Sequence, residues 1–230
     1  MATVQATEYD APRGGAIELT AGGATLKTIG GVAVAVLAIL ALAGVLPAVL
    51  VAIAGIVFGV AMLVEGLGIA SEYSTLAARV AEGRTEIAEF GGGVGVEVLV
   101  GIAAIALGVL ALVGVATSTM VPVLIIVGGV GLMLSAGTTQ RLNDLNLASA
   151  GHSEMARRVT HASMTGAAVA QTLGGLAAVV LGILSLVDVG AAAAAGFGTL
   201  PQVGLLVLGV AVAFAGGALA GKATRLYQQG

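Results

Sequence analysis

Three carboxylates stand alone inside long apolar runs of this chain: Glu65, Glu97 and Asp188. Ionisable side chains in such surroundings are costly and often mark functional sites. Glu65 follows Pro47 by 18 residues, which is about 27 Å of helix at 1.5 Å per residue. Glu97 lies one to two turns inside its run, and Asp188 lies at the end of a run. The spacing therefore favours carboxylates near the ends of apolar helices, reaching the interface, over a site at mid-depth.

A second pattern joins one of these carboxylates to two other polar residues. Lys27, Glu97 and Gln171 each stand four residues before a glycine that recurs in the three repeats described below. Equivalent positions in a threefold bundle converge at one end of it, so we expect Lys27 to pair with Glu97 there. Two interpretations of this possible polar cluster stay open, a structural clamp and a site for a ligand or an ion.

The remaining candidates for chemistry are weak. The chain has no cysteine, which removes thiolate nucleophiles, thiolate metal ligands and disulfides. His152 and His161 are nine residues apart, without the spacing of a metal site, and are interpreted as solvated surface residues. The glycines from Gly91 to Gly95 lack the preceding strand and the lysine that a phosphate loop needs. The sequence therefore predicts no catalytic residue, cofactor or metal site, and no enzyme.

The composition explains this lack of reactive groups. Of 230 residues, 58% are hydrophobic, 37 are glycine and only 9% are charged, and the net charge is −3. Soluble domains carry about 25% charged residues, so a soluble enzyme is excluded. The sparse charge also argues against nucleic acid as a partner and leaves membrane lipids. Mean hydropathy of +1.10 over the whole chain indicates a polytopic membrane protein.

The apolar runs divide into six helices. A membrane span needs about 20 apolar residues, and the runs of 28–70, 91–137 and 166–221 are each long enough for two. Proline removes a backbone donor and disfavours helix just before it, so Pro47, Pro122 and Pro201 mark the divisions, the second together with residues 117–119. The predicted spans are 28–45, 47–70, 92–115, 121–139, 166–188 and 201–222. We therefore expect an all-α fold of three hairpins.

The division into spans defines the organisation of the chain. The predicted segments are a polar tail (1–25), hairpin 1 (26–70), a linker (71–90), hairpin 2 (91–139), a second linker (140–165), hairpin 3 (166–222) and a polar C-terminal segment (223–230). No basic segment leads into an apolar one within the tail, so no cleavable signal peptide is expected. Both linkers are expected to form short helices that extend the spans or lie on the membrane.

The positive charges predict the orientation. Seven of the nine Lys and Arg residues lie in the tail, the linkers or the C-terminal segment. Lys27 and Lys222 lie at the ends of hairpins 1 and 3 on the same side, and no Lys or Arg lies in the three turns on the other side. Basic residues are retained in the cytoplasm. We therefore expect a multi-pass protein of the cell inner membrane with both termini cytoplasmic.

The three hairpins are copies of one unit. The first helices align through Gly31, Gly101 and Gly175, and the second helices through Gly59-Val60, Gly129-Val130 and Gly209-Val210. One constant offset relates both helices of the first two hairpins, and the third hairpin differs by a longer outer turn. Two-helix copies all enter the membrane from the same side, so they are parallel repeats and not the inverted repeats of many transporters. The sequence predicts a pseudo-threefold bundle.

Small residues are expected to hold the bundle together, because close van der Waals contact at glycine replaces the hydrophobic effect between membrane helices. The predicted helix-packing glycines are Gly55, Gly59, Gly91, Gly95, Gly108, Gly182, Gly217 and Gly221. An alternative is that these faces pack against a second copy in a homo-oligomer.

The repeat resembles the HdeD-type family of bacterial inner-membrane proteins, which is named for acid resistance. In that family six spans form three hairpins with a recurring G-x5-L-G-x-L-x-L before a turn that often contains proline. The segments from Gly101 to Leu112 and from Gly175 to Leu186 carry the motif fully, and Gly31 to Leu42 has Ala38 for the second glycine. The resemblance covers about residues 28–225 and implies no catalytic residues.

Three functions follow from these observations. The resemblance implies a non-enzymatic membrane protein that supports envelope integrity or acid-stress tolerance. The small-residue faces leave open a structural scaffold or an accessory subunit of a larger membrane complex or homo-oligomer. A channel for a small neutral solute ranks last, because the spans offer few polar groups to line a pore.

Overall fold

A computed structural model describes residues 13–79, 87–149, 154–192 and 198–227, with side-chain surroundings for 25–67, 95–136, 166, 168–187 and 198–217. These ranges form six helices and no strand. The helices are α1 (Arg13–Leu42), α2 (Pro47–Arg79), α3 (Ile87–Leu112), α4 (Thr117–Ser149), α5 (Glu154–Ala192) and α6 (Thr199–Tyr227). Each contains an apolar stretch of 18 to 21 residues, long enough to span a membrane. The predicted all-α, six-span membrane fold is confirmed.

The turns within the first two hairpins share one geometry. Gly44 adopts a φ of +85°, which a side chain would strain. Its amide donates to the Ala41 carbonyl, and the Val45 amide donates to the Leu40 carbonyl, at 3.0 and 3.1 Å. This is a Schellman C-cap, which satisfies the last carbonyls of a helix. Gly114 repeats it at the equivalent position of the second hairpin with a φ of +88°, so α1 and α3 end in the same way.

The second helix of each of these hairpins begins directly after the turn. Pro47 occupies the first position of α2, where its missing donor costs nothing. α4 begins at Thr117, four residues before the predicted 121, and the Thr117 hydroxyl donates to the Ala111 carbonyl at 2.9 Å. Pro122 therefore lies inside α4 and does not end it, because membrane helices tolerate the loss of one hydrogen bond near a terminus.

The six helices close into a ring. Each helix packs against the next along the chain, α6 packs back on α1, and α2, α4 and α6 also contact one another. Within the apolar stretches, 44%, 56% and 56% of residues are buried in α2, α4 and α6, against 28%, 33% and 28% in α1, α3 and α5. The even helices thus form an inner triangle with the odd helices outside it. This arrangement confirms the predicted pseudo-threefold bundle of parallel repeats.

The interfaces between successive hairpins are built on equivalent glycine pairs. A Cβ added at Gly31, Gly101 or Gly175 would lie 2.7, 2.8 and 2.6 Å from the carbonyl oxygen of the partner glycine on the facing helix. The pairs are Gly31–Gly209 between α1 and α6, Gly59–Gly101 between α2 and α3, and Gly129–Gly175 between α4 and α5. No side chain fits at these contacts, so the backbones meet directly.

The predicted packing glycines divide into three groups. Four of them have neighbours on another helix within 3 Å of an added Cβ: Gly55, Gly59, Gly108 and Gly182. A Cβ at Gly95 or Gly217 would meet no atom within 4 Å among the residues whose surroundings the structure describes. Gly91 and Gly221 lie outside the residues whose surroundings the structure describes.

The centre of the inner triangle is filled by apolar side chains of unequal size. Phe58, Gly128 and Leu208 occupy equivalent positions in the three hairpins. A Cβ on Gly128 would lie 2.9 Å from Phe58 Cε1 and 3.1 Å from Leu208 Cδ1, so the large phenylalanine and the absent side chain compensate for each other. One helical turn closer to the termini, Met62 and Leu132 are both fully buried. The axis of the bundle is therefore a packed apolar core.

Candidate functional site

Three charged residues lie together at the end of the bundle that carries the termini and linkers. They are the charged residues among all side chains whose surroundings the structure describes. Lys27 stands near the start of the apolar stretch of α1, Glu65 near the end of that of α2, and Glu97 near the start of that of α3. Their side chains are only 1%, 8% and 2% exposed. We call these three residues the charged cluster.

Lys27 forms an ion pair within the first hairpin. Its Nζ donates to Glu65 Oε1. The predicted partner is Glu97, and the structure replaces it with Glu65. The reason is geometric, because an antiparallel hairpin brings the end of α2 back beside the start of α1, whereas repeat-equivalent positions are separated by a rotation around the bundle.

Glu97 is the second carboxylate of the charged cluster. Its charge interacts with those of Glu65 and Lys27, and the Ser135 hydroxyl is its hydrogen-bonding neighbour. Its Cβ lies 3.3 Å from the place that a Cβ on Gly66 would occupy, so α3 presses it directly against α2. Sequence spacing predicts Glu65 and Glu97 at the interface with the headgroups. Both do lie near the ends of their apolar stretches, but their side chains are buried within the bundle.

Two oxygen atoms in the charged cluster lack partners. Glu65 Oε2 and Glu97 Oε2 are buried and accept no hydrogen bond from any described group. A buried polar atom without a partner is costly, and an unbalanced buried charge costs more. Two carboxylates facing one ammonium thus form an incompletely neutralised site.

The polar positions repeat around the bundle while their chemistry changes. The pairs Lys27/Glu65, Glu97/Ser135 and Gln171/Ala215 stand at equivalent positions in hairpins one, two and three. All six residues are buried. The structure thus brings both Lys27 and Glu97 near Glu65, while Gln171 occupies the equivalent place in the third hairpin, where the described residues carry no charge.

Glu65 and Ser135 are members of this site that the spacing of the first helices does not identify. The signal is present, since Ser135 stands at the position of the second hairpin that Glu65 occupies in the first. Applying the repeat to the second helices as well as the first finds both. Asp188, His152 and His161 lie outside the residues whose side chains the structure describes.

The charged cluster combines two buried carboxyl groups with one ammonium group. Within the described residues, no group of three or more His, Cys, Asp or Glu side chains comes together. A comparison with known proteins gives no match to any family model, curated protein or solved structure.

Proposed function

We propose that this integral membrane protein is a non-enzymatic component of the cell inner membrane, with both termini cytoplasmic, that supports envelope integrity or acid-stress tolerance. The HdeD-like repeat motivates the role, and the segregation of all nine Lys and Arg residues to one side motivates the orientation. The observation that carries the proposal is the packed axis of the bundle, which favours a structural role over passage of a solute.

The packed axis argues against a channel along the inner triangle. Pores are lined by polar groups or by water, whereas Phe58, Met62, Leu132 and Leu208 fill this axis and are fully buried. The charged residues gather at one end, and the buried Ser185 and Gln202 lie toward the other end, with the apolar axis residues between them. A solute entering from that end would meet a closed apolar core.

The outer surface supports the assignment to a lipid bilayer. Large apolar side chains cover the odd helices and the outer edges of the even ones. Many of these side chains are at least half exposed. Examples are Leu26, Ile29, Leu99, Ile102, Leu173 and Phe214. An apolar surface of this extent on a soluble protein would aggregate, so contact with acyl chains is its natural environment.

The scaffold alternative has one supporting observation. A Cβ added at Gly95 or Gly217 would meet no atom of the described residues within 4 Å. Small residues at four-residue spacing, as in Gly91/Gly95 and Gly217/Gly221, favour helix association, which supports contact with another copy or a larger complex. Gentle extraction followed by native mass measurement distinguishes the two candidates, since a strictly monomeric species would dismiss the scaffold.

The proposal predicts two results. Deletion of the gene from its host should lower survival after acid challenge and raise leakage of a small dye across the inner membrane, and the intact gene supplied in trans should reverse both. The purified protein in liposomes should not raise their permeability to glycerol or urea. Unchanged survival and leakage after deletion would refute the structural role, and solute flux in liposomes would establish the channel instead.

A further inference from the structure

The charged cluster carries an inference that does not depend on the proposed function. Its charges do not balance, because Glu65 and Glu97 face a single ammonium on Lys27. The charged cluster and its equivalent positions lie at one level of the six helices. From that level toward the termini and linkers, the next charged residue on each helix is at least six positions away, which is about 9 Å of helix. The elements packed around Glu97 bring Glu65 from α2, Lys27 from α1 and the uncharged Ser135 from α4.

We propose that the charged cluster is a binding site for one proton, held between the carboxylates of Glu65 and Glu97 at neutral pH. With this proton the site contains one carboxylate, one carboxylic acid and one ammonium, and its net charge is zero. Binding forms one O–H bond on a carboxylate oxygen, and water at the cluster's end of the bundle supplies the proton. No other reactant is needed.

The unpartnered oxygens favour a proton as the ligand. An ionised carboxylate only accepts hydrogen bonds, whereas a protonated one also donates. Glu65 Oε2 and Glu97 Oε2 are both buried without a partner. A proton bound to either one removes a buried negative charge and turns that oxygen into a donor. A cation such as Ca²⁺ requires six to eight oxygen ligands, which two carboxylates and one hydroxyl do not provide beside an ammonium.

The placement of the site allows proton exchange with one side only. Glu65 is 8% exposed and is the most accessible of the three residues, against 1% for Lys27 and 2% for Glu97. On the other side of the cluster, the apolar residues Met62, Leu132 and Val212 are fully buried and close the axis. The geometry thus describes a proton-binding site that reports the pH of one compartment and does not form a path across the membrane.

Proton binding fixes the sign of the pH dependence of stability. With the site occupied at neutral pH, the folded protein holds one proton. In the unfolded chain the same carboxylates are solvated and have released it. Since the folded state then binds more protons, the free energy of unfolding falls as the pH rises through the release of that proton. In Glu97→Gln an uncharged amide replaces the carboxylic acid, so this variant should lose the alkaline decrease in thermal stability.

Infrared spectroscopy of the purified full-length protein in nanodiscs tests the site directly. We expect the C=O stretching band of a protonated carboxylic acid at neutral pH, its disappearance on alkaline titration, and its loss in Glu97→Gln. Glu89→Gln, the same substitution eight residues earlier on α3, is the matched control and should keep the band.

Three results would contradict a proton-binding site. Absence of the band from the wild-type protein at neutral pH, or a band unchanged in Glu97→Gln, would overturn the proposal. Stabilisation at alkaline pH by sodium ions, and not by potassium or choline at equal ionic strength, would assign the site to a cation instead. The wild-type titration needs no variant, so a folding defect in Glu97→Gln would not prevent a decision. Neither readout involves acid survival, so this site and the proposed function can fail separately.

Discussion

Replacement of Lys27 by methionine is expected to lower the free energy of unfolding by about 3–5 kcal/mol at neutral pH, the usual cost of removing one partner of a buried ion pair. Lys27 is 1% exposed and bonds to Glu65. Methionine fills most of the volume but leaves two buried carboxylates without a cation. Reversible unfolding in mixed detergent micelles measures the change.

The double variant Lys27→Met/Glu65→Met is the control for this loss. Replacing both members of a buried pair by apolar residues is often nearly neutral, so the double variant should regain most of the lost stability. The deficit of the single variant should also shrink in acid, because protonation removes the negative charge that the missing ammonium leaves unbalanced. A double variant as unstable as the single one would show that the pair is not the stabilising feature.

Replacement of Gly209 by alanine is expected to cost about 3 kcal/mol, at the upper end of the range for overpacking. The added Cβ would lie 2.7 Å from the Ala35 nitrogen and 2.9 Å from the Gly31 carbonyl oxygen. These are backbone atoms, which cannot rotate away as a side chain does, so α1 and α6 must separate. The same unfolding assay measures this loss.

Gly217→Ala on the same helix is the matched control. An added Cβ there meets nothing within 4 Å, and alanine favours helix over glycine by about 1 kcal/mol. This variant should be at least as stable as the wild type. Equal losses in the two variants would mean that helix propensity or insertion, and not the contact between α1 and α6, determines the effect.

Much of the architecture can be predicted because it depends on local properties of the sequence, such as the length of an apolar run and the position of a proline. The length of an apolar run determines how many times it can cross a bilayer, and Pro47 determines where the first run divides. The predicted start of α4 is four residues late, because Pro122 suggests a boundary, whereas the Schellman turn at Gly114 has already ended α3. Local signals thus locate the apolar core of each helix well and its termini less well, since α5 also begins at Glu154 and not at 166.

The site is harder to predict because it depends on which helices are neighbours. The repeat identifies Lys27 and Glu97 as equivalent, but equivalence around an axis is not contact, and the ion pair forms instead between the two helices of one hairpin. The sequence shows only that Gly31, Gly101 and Gly175 recur at equivalent positions of the three repeats. Their role as backbone contacts becomes visible once the ring places α6 against α1.

The central claim is that three equivalent interfaces close the six helices into a ring, and the most direct test is the proximity of the first and last helices. Val32 and Val210 lie beside the Gly31–Gly209 contact, and Ile102 and Val60 lie at the equivalent places between α2 and α3. All four are 40% to 53% exposed on the outer surface.

The chain has no cysteine, so spin labels attach only at introduced ones. We expect the Val32→Cys/Val210→Cys pair to show the same dipolar broadening as the Val60→Cys/Ile102→Cys pair, since adjacent helices lie about 8–10 Å apart. Broadening in the Val60→Cys/Ile102→Cys pair alone would show an open array of hairpins and contradict the closed ring.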